Sequence, residues 1–265
     1  MAETTLKAGL EERPAPILSR VARIRIATVI FVVVAYELLA RSGLFFEGVV
    51  PSLLLVGEAL FATLSDPAFY PHLWRTATEV IVGFLLGTFL GATTGIVFGM
   101  SRFVAGMLNP WVQYLAPAPK IIFLPILFLL FGVGIGSKIA MATMSAFFPV
   151  AIATFAGMRQ VSEVHIRVAR AFNATRWQMV TKVYIPSLVA PVMTSLRLAL
   201  GVAIIGTLLA EIKMSNLGLG HLIIQHYNFL RLPEMYAVLF LTFALAVAAN
   251  GFMGWLANRV EHDRH

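Results

Sequence analysis

The chain has 265 residues, of which 59% are apolar and 12% charged, with a mean hydropathy of +0.84. A water-soluble core of that size cannot hide so much apolar surface, so the bilayer must act as solvent and a soluble enzyme or nucleic-acid-binding domain is excluded. The formal charge of +7 is divided into short clusters between long apolar runs, and the absence of cysteine excludes disulfides, thiolate metal sites and cysteine nucleophiles.

A crossing helix needs about 20 mostly apolar residues, and about six stretches approach that length, which predicts an all-α polytopic membrane protein. Residues 1–25 are polar and contain prolines, with no small-residue cleavage pattern after the apolar stretch that follows. They read as a cytoplasmic arm rather than a signal peptide. The membrane domain, 26–265, opens with a span over 26–44, in which Glu37 and Arg41 stand at i, i+4 and pair on one face. Pro51, Ser52, Asp66, Pro67 and Pro71 surround a moderately apolar 53–64, the pattern of a surface helix between two outer loops.

The second span, 76–100, carries Gly83, Gly87, Gly91, Gly95 and Gly99. Spacing by four lays them along one ridge, where a second helix approaches closely, and packing is favoured over a hinge. The third stretch, 106–131, is interrupted by Pro110, Pro117, Pro119 and Pro125. Each proline removes an amide donor, so a broken helix is expected, its irregular backbone facing protein or a water-filled cavity that forms a pathway lining. Gly132 to Lys138 reads as a tight turn, followed by a fourth span at 139–158, a polar loop at 159–186, a fifth span at 187–209 and a sixth at 236–257. With both termini inside, Lys7, Arg13, Arg20, Arg23, Arg25, Arg102, Arg159, Arg167, Arg170, Arg176, Lys182, Arg259 and Arg264 fall in the cytoplasm, against Arg41, Arg75, Lys138, Lys213 and Arg231 outside, with the loop carboxylates Glu47, Glu58, Asp66 and Glu234. This is a positive-inside bias.

The loop 159–186 is longer than a connection requires and carries its own helix signals. Ser162 caps a helix with Glu163 in its first turn, and Asn173 is a left-handed stop. Thr175 caps a second helix over 176–184, which Ile185 and Pro186 hand over to the fifth span. Arg167, Arg170 and Arg176 make a basic face, beside which Val164, Val168, Ala171 and Phe172 are available for docking; a plain surface hairpin is the alternative.

The run Val161 to Ala174, with Trp177 and Ile185-Pro186 after it, resembles the cytoplasmic Glu-Ala-Ala loop of the permease subunits of bacterial ATP-binding-cassette importers, of the nitrate/sulfonate/taurine type. Arg167 stands where that motif usually has Glu, Val168 replaces its first Ala, and Asn173 replaces its Gly. Asn is a tolerable replacement because it too enters the left-handed region. Leu108 to Gln113, Pro117-Ala118-Pro119-Lys120, Leu124-Pro125, Phe131 to Gly134, Phe147-Phe148-Pro149, Leu196-Arg197 and Ala210-Glu211 are similar to the family's spans.

The resemblance implies a type I importer permease in the inner membrane. Glu163, Val164, Arg167, Val168, Ala169, Arg170, Ala171, Phe172, Asn173 and Ala174 would then form the coupling helix that sits in a cleft of the ATPase. It also implies a homodimer with the pathway between protomers, two cytoplasmic ATPase subunits holding ATP and Mg, and a periplasmic or lipid-anchored binding protein. The solute expected is small, polar and anionic; a thiamine-related pyrimidine is the alternative, ahead of a membrane-embedded enzyme or a channel. No Gly-x-x-x-x-Gly-Lys-Ser/Thr element is present, so no cofactor is expected on this chain and ATP hydrolysis is expected in trans.

Ionisable residues at membrane depth are functional candidates by default. Lys120, after Pro117 and Pro119, presents a positive charge to the pathway or pairs with Glu79 or Glu211. Arg197 lines the pathway or caps carbonyls freed by the broken third span, and Glu211 is a gate element or a loop anchor. His221, Gln225 and His226 form an outer polar patch, but the two histidines do not share a helical face well enough for a metal.

Overall fold

The structure, a computed structural model, describes residues 20–44 and 49–262, and among these it is helical with no strand. The remainder of the N-terminal arm, and with it Lys7 and Arg13, lies outside the described residues, as do Glu47 and Arg264. The chain divides into two units, 1–56 and 57–265.

In the first unit, α1 (Arg20–Arg41) has an apolar middle between Arg23 and Arg25 at its start and Glu37 and Arg41 at its end. Glu37 Oε1 accepts from Arg41 Nε at 2.6 Å, and Glu37 Oε2 accepts from the amide of Leu53 at 3.0 Å. Tyr36 donates its hydroxyl to the Pro51 carbonyl at 2.9 Å. The last turn of α1 thus fixes the start of α2 (Leu53–Ser65), whose first amides have no partner within their own helix.

The second unit is built on α3 (Phe69–Met100), α6 (Ile135–Gln160) and α9 (Ile185–Lys213), with α6 in the middle. The glycine ridge of α3 lies against α6. A Cβ at Gly83 would stand 2.3 Å from the Ala142 Cβ, one at Gly87 2.5 Å from the Thr143 carbonyl, and one at Gly91 2.6 Å from the Phe147 carbonyl. Gly95 and Gly99 meet Thr154 and Met158 in the same way. On the other side of α6, Gly206 of α9 approaches Ser145. Small residues therefore bring three backbones together, and Val80, Phe84, Val150, Leu196 and Leu200 fill the core between them.

Among the described residues, four helices are long and apolar enough to cross a membrane: Phe69–Met100, Ile135–Gln160, the continuous Arg176–Lys213 and Leu232–Arg259. The third stretch is broken, though not where every proline stands. Helix α4 (Arg102–Leu115) runs through Pro110, the break comes at Pro117 and Pro119, and a 3-10 turn (Lys120–Phe123) leads into α5 (Leu124–Phe131). One proline costs a helix a single hydrogen bond, whereas Pro117 and Pro119 together remove two donors within one turn and disfavour helical backbone at Ala118 between them.

Helix α7 (Glu163–Ala171) begins at Ser162, whose Oγ accepts from the Val164 amide at 3.3 Å, and ends before Asn173 in the left-handed region, φ 53. Helix α8 (Arg176–Met179) opens with a capping box between Thr175 and Gln178. It does not hand over at a break. A π turn (Val180–Tyr184) carries it directly into α9, and its wider hydrogen-bond pattern accommodates Pro186 in the first turn. The expected outer loop after the fifth span contains α10 (Leu219–Asn228), and α11 (Leu232–His262) completes the fold.

Candidate functional site

The broken segment opens a concavity of about 640 Å³ between the 116–120 turn, α6 and α9, lined by Pro117, Lys120, Ser145, Phe148, Thr194 and Ser195 among others. Lys120 Nζ donates to the Ala116 carbonyl at 2.6 Å and lies 5.1 Å from the centroid of the Phe148 ring. The hydroxyls around it direct their hydrogens to their own helices: Ser145 to Met141 O, Thr194 to Ala190 O and Ser195 to Val192 O, at 2.8, 3.1 and 2.7 Å. An ammonium has three donors and Lys120 directs one of them at a carbonyl, so the concavity offers positive charge and free N–H groups. Lys120 pairs with neither Glu79 nor Glu211, contrary to one of the two expectations for it.

Those carboxyls belong to a second cluster at the other end of α9. Glu211 is fully buried, accepting from Thr76 Oγ1 at 2.7 Å and from the Gly220 amide at 2.8 Å. Thr76 Oγ1 accepts in turn from the Leu219 amide at 2.8 Å, and His72 Nδ1 accepts from the Gly218 amide at 3.1 Å. Side chains of α3 and α9 thereby satisfy the amides that open α10. Gly218 has φ 117, and a Cβ there would stand 2.2 Å from Glu211 Oε1. Glu211, expected as a gate element on the pathway or as a loop anchor, does not line the concavity and holds the Gly220 amide of the loop.

Three members of this cluster were not legible in the chain. Arg75 and Lys138 were expected in outer loops, yet Arg75 lies within α3 and donates to Glu79 Oε1 at 2.8 Å, and Lys138 is fully buried. Lys138 Nζ donates to the carbonyl of Met214 at 2.5 Å and to that of Val133, in the same cluster as the buried Glu79 and Glu211. The i, i+4 spacing of Arg75 and Glu79 was the available signal. His72 also stacks on His221, ring centroids 5.9 Å apart.

Arg197 does not cap the broken third span. It lies exposed on α9 with its guanidinium against Gly254 of α11. At the 159–186 loop, Val164, Val168, Phe172 and Trp177 are all exposed, while Ile166 and Ala169 are half-buried on the inner side of α7.

A family model described as the binding-protein-dependent transport system inner membrane component matches residues 83–262. A probable ABC transporter permease protein of Haemophilus influenzae is 28% identical over 84% of this chain and 91% of its own length. The taurine transport system permease protein TauC of Escherichia coli is 32% identical, over 62% of this chain and 60% of its own. A putative aliphatic sulfonates transport permease protein, SsuC of Bacillus subtilis, is 27% identical over 86% and 83%. Among solved structures, a chain of the MetNI methionine ABC transporter in an inward-facing conformation superposes with a TM-score of 0.63. It covers 74% of this chain and 97% of that one at 20% identity, a likeness of fold. With the family match extending over more than half of the sequence, this chain belongs to the binding-protein-dependent transport system inner membrane components, the permease subunits of ABC importers.

Proposed function

We propose that two copies of this permease form the translocation pathway of an ATP-driven importer in the bacterial inner membrane, and that the pathway carries a small oxyanion. The observation that carries this reading is the concavity at the break in the third span, where hydroxyl hydrogens are committed to backbone and Lys120 keeps donors free. Taurine and aliphatic sulfonates, named for two of the relatives, are solutes with such an anionic group. Pro117 and Pro119 place Lys120 by ending helix α4, and a binding protein delivers the solute from outside. In this reading α1 and the broken third stretch complete about six crossings, with both termini in the cytoplasm.

The energy comes from two partner ATPase subunits, since the chain has no phosphate-binding loop. Residues 163–174 dock on them, presenting the exposed side chains of Val164, Val168 and Phe172 beside Arg167 and Arg170. In membranes that supply the ATPase and binding protein, Lys120→Gln is expected to cut uptake of a labelled sulfonate at least about tenfold, the scale of one charge-assisted hydrogen bond. Lys120→Arg should keep part of the uptake, and ATPase copurification should be unchanged in both. Full uptake by Lys120→Gln overturns the reading.

A further inference from the structure

We infer that Arg197 and Asn250 form a second oxyanion site, on the α9/α11 side of the pathway and separated from the Lys120 concavity by Leu198 and Val202. The inference rests on the pathway reading given above. Both residues line a notch of about 330 Å³ that also takes in Gly201 and Ile205, while Leu198 and Val202 line this notch and the Lys120 concavity alike. Gly254, one turn after Asn250 on α11, leaves the space that the guanidinium occupies; a Cβ there would stand 3.1 Å from Arg197 Cζ.

Depth makes the notch informative. Arg197 is twelve residues into α9, roughly 18 Å along the helix from Ile185 at about 1.5 Å per residue, and near the middle of the apolar 187–209 stretch. A guanidinium at that depth is costly unless it is paired or wet. The other deep cations have partners: Arg75 bonds to Glu79, Lys138 to two carbonyls, and Lys120 to Ala116 O over the Phe148 ring. Among the described residues Arg197 has neither a hydrogen bond nor an ion pair. Asn250 places its Nδ2, a donor, beside Gly201 in the same notch, and among the described residues no hydrogen bond engages it. Two unmatched polar groups in one notch mark a place that water or a polar ligand fills, since hydrocarbon does not satisfy them.

The sources of a counter-charge are few. Glu79 and Glu211 are fully buried in their own cluster, and Glu37 is engaged by Arg41 and the Leu53 amide. Glu58, Asp66, Glu163, Glu234 and Glu261 lie on α2, in a loop, in the first turns of α7 and α11 or in the last turn of α11. A second copy of the chain therefore brings no free described carboxylate to this depth. Lipid phosphates sit about 15 Å from the centre of the hydrocarbon, beyond the reach of one side chain. The transported solute is left as the source. A planar fork of donors fits two oxygens of a carboxylate, sulfonate, nitrate or hydrogencarbonate.

The test uses the full-length chain in phosphatidylcholine nanodiscs, titrated with sodium methanesulfonate at constant ionic strength against sodium chloride, with thermal unfolding followed by tryptophan fluorescence. Methanesulfonate is expected to raise the unfolding midpoint of the wild type. The concentration giving half the effect should rise at least about tenfold in Arg197→Gln and by less in Arg197→Lys, which keeps the charge but not the fork. If Arg197→Gln does not fold, the Arg197→Lys titration decides alone, and a wild-type midpoint concentration there overturns the site. A response unchanged in Arg197→Gln and lost in Lys120→Gln overturns this site and leaves the pathway reading standing. No response in any protein overturns both. Stabilisation through Arg197 that appears only with phosphatidylglycerol in the disc, without sulfonate, assigns the notch to a lipid headgroup and overturns the proposal.

Discussion

Glu211 dictates the residues that follow it. Its carboxylate occupies the space that a side chain at 218 or 220 would need and holds the Gly220 amide, so the Gly-Leu-Gly run at 218–220 is a consequence of an acid seven residues earlier. Gly218→Ala combines a strained φ of 117 with a Cβ contact of 2.2 Å to a buried carboxylate. It is expected to destabilise by roughly 2–4 kcal/mol, the sum of backbone strain and overpacking. Glu211→Gln keeps the shape and loses one acceptor, leaving the Thr76 hydroxyl or the Gly220 amide unmatched, for about 1–3 kcal/mol. Thermal unfolding in one detergent checks both, and Gly218→Ala should also speed proteolysis between α9 and α10. The sequence placed Glu211 at a helix end and left gate and anchor open; the anchor became visible only once α3 supplied Thr76 and His72. Lys138 was harder to read. A charge normally marks the limit of a span, and this one is buried because carbonyls of two distant turns, Val133 and Met214, converge on it.

At the scale of elements, spacing by four was legible in α3 and the partner helix was not. Five glycines describe a ridge, but only packing shows that α6 lies on it, with Ala142, Thr154 and Met158 facing Gly83, Gly95 and Gly99. Gly87 is the most informative position, because a methyl there would stand 2.5 Å from the Thr143 carbonyl, a backbone atom unable to rotate away. Gly87→Ala is therefore expected to cost about 1–3 kcal/mol by pushing α3 off α6. Gly57→Ala in α2 has nothing within 4 Å and should be neutral or stabilising by up to about 1 kcal/mol. Comparing the two thermal midpoints separates close approach from the general helix preference for alanine. The same limit explains Pro110 and Pro186. Pattern alone marks a proline as a breaker, while the outcome depends on whether neighbouring turns absorb the missing bond, as the π turn at 180–184 does.

For the whole molecule, transport requires that motion made elsewhere reach the pathway. Helix α9 is continuous with α8 from Arg176 to Lys213, so under the proposed coupling a displacement applied at the 163–176 hairpin would reach Thr194, Arg197 and Leu198 without an intervening loop. The sequence pattern, which predicts a polar loop over 159–186 and a separate span over 187–209, does not show that continuity. Val168 is 50% exposed on α7, so Val168→Glu should leave the stability of the isolated chain within about 0.5 kcal/mol. Buried against a partner ATPase, an unpaired carboxylate is far more costly. Val168→Glu is accordingly expected to weaken ATPase copurification at least about tenfold while the purified permease melts as the wild type does. Copurification at the wild-type level, with coupled uptake intact, would remove α7 from the interface and leave the continuous helix without a drive.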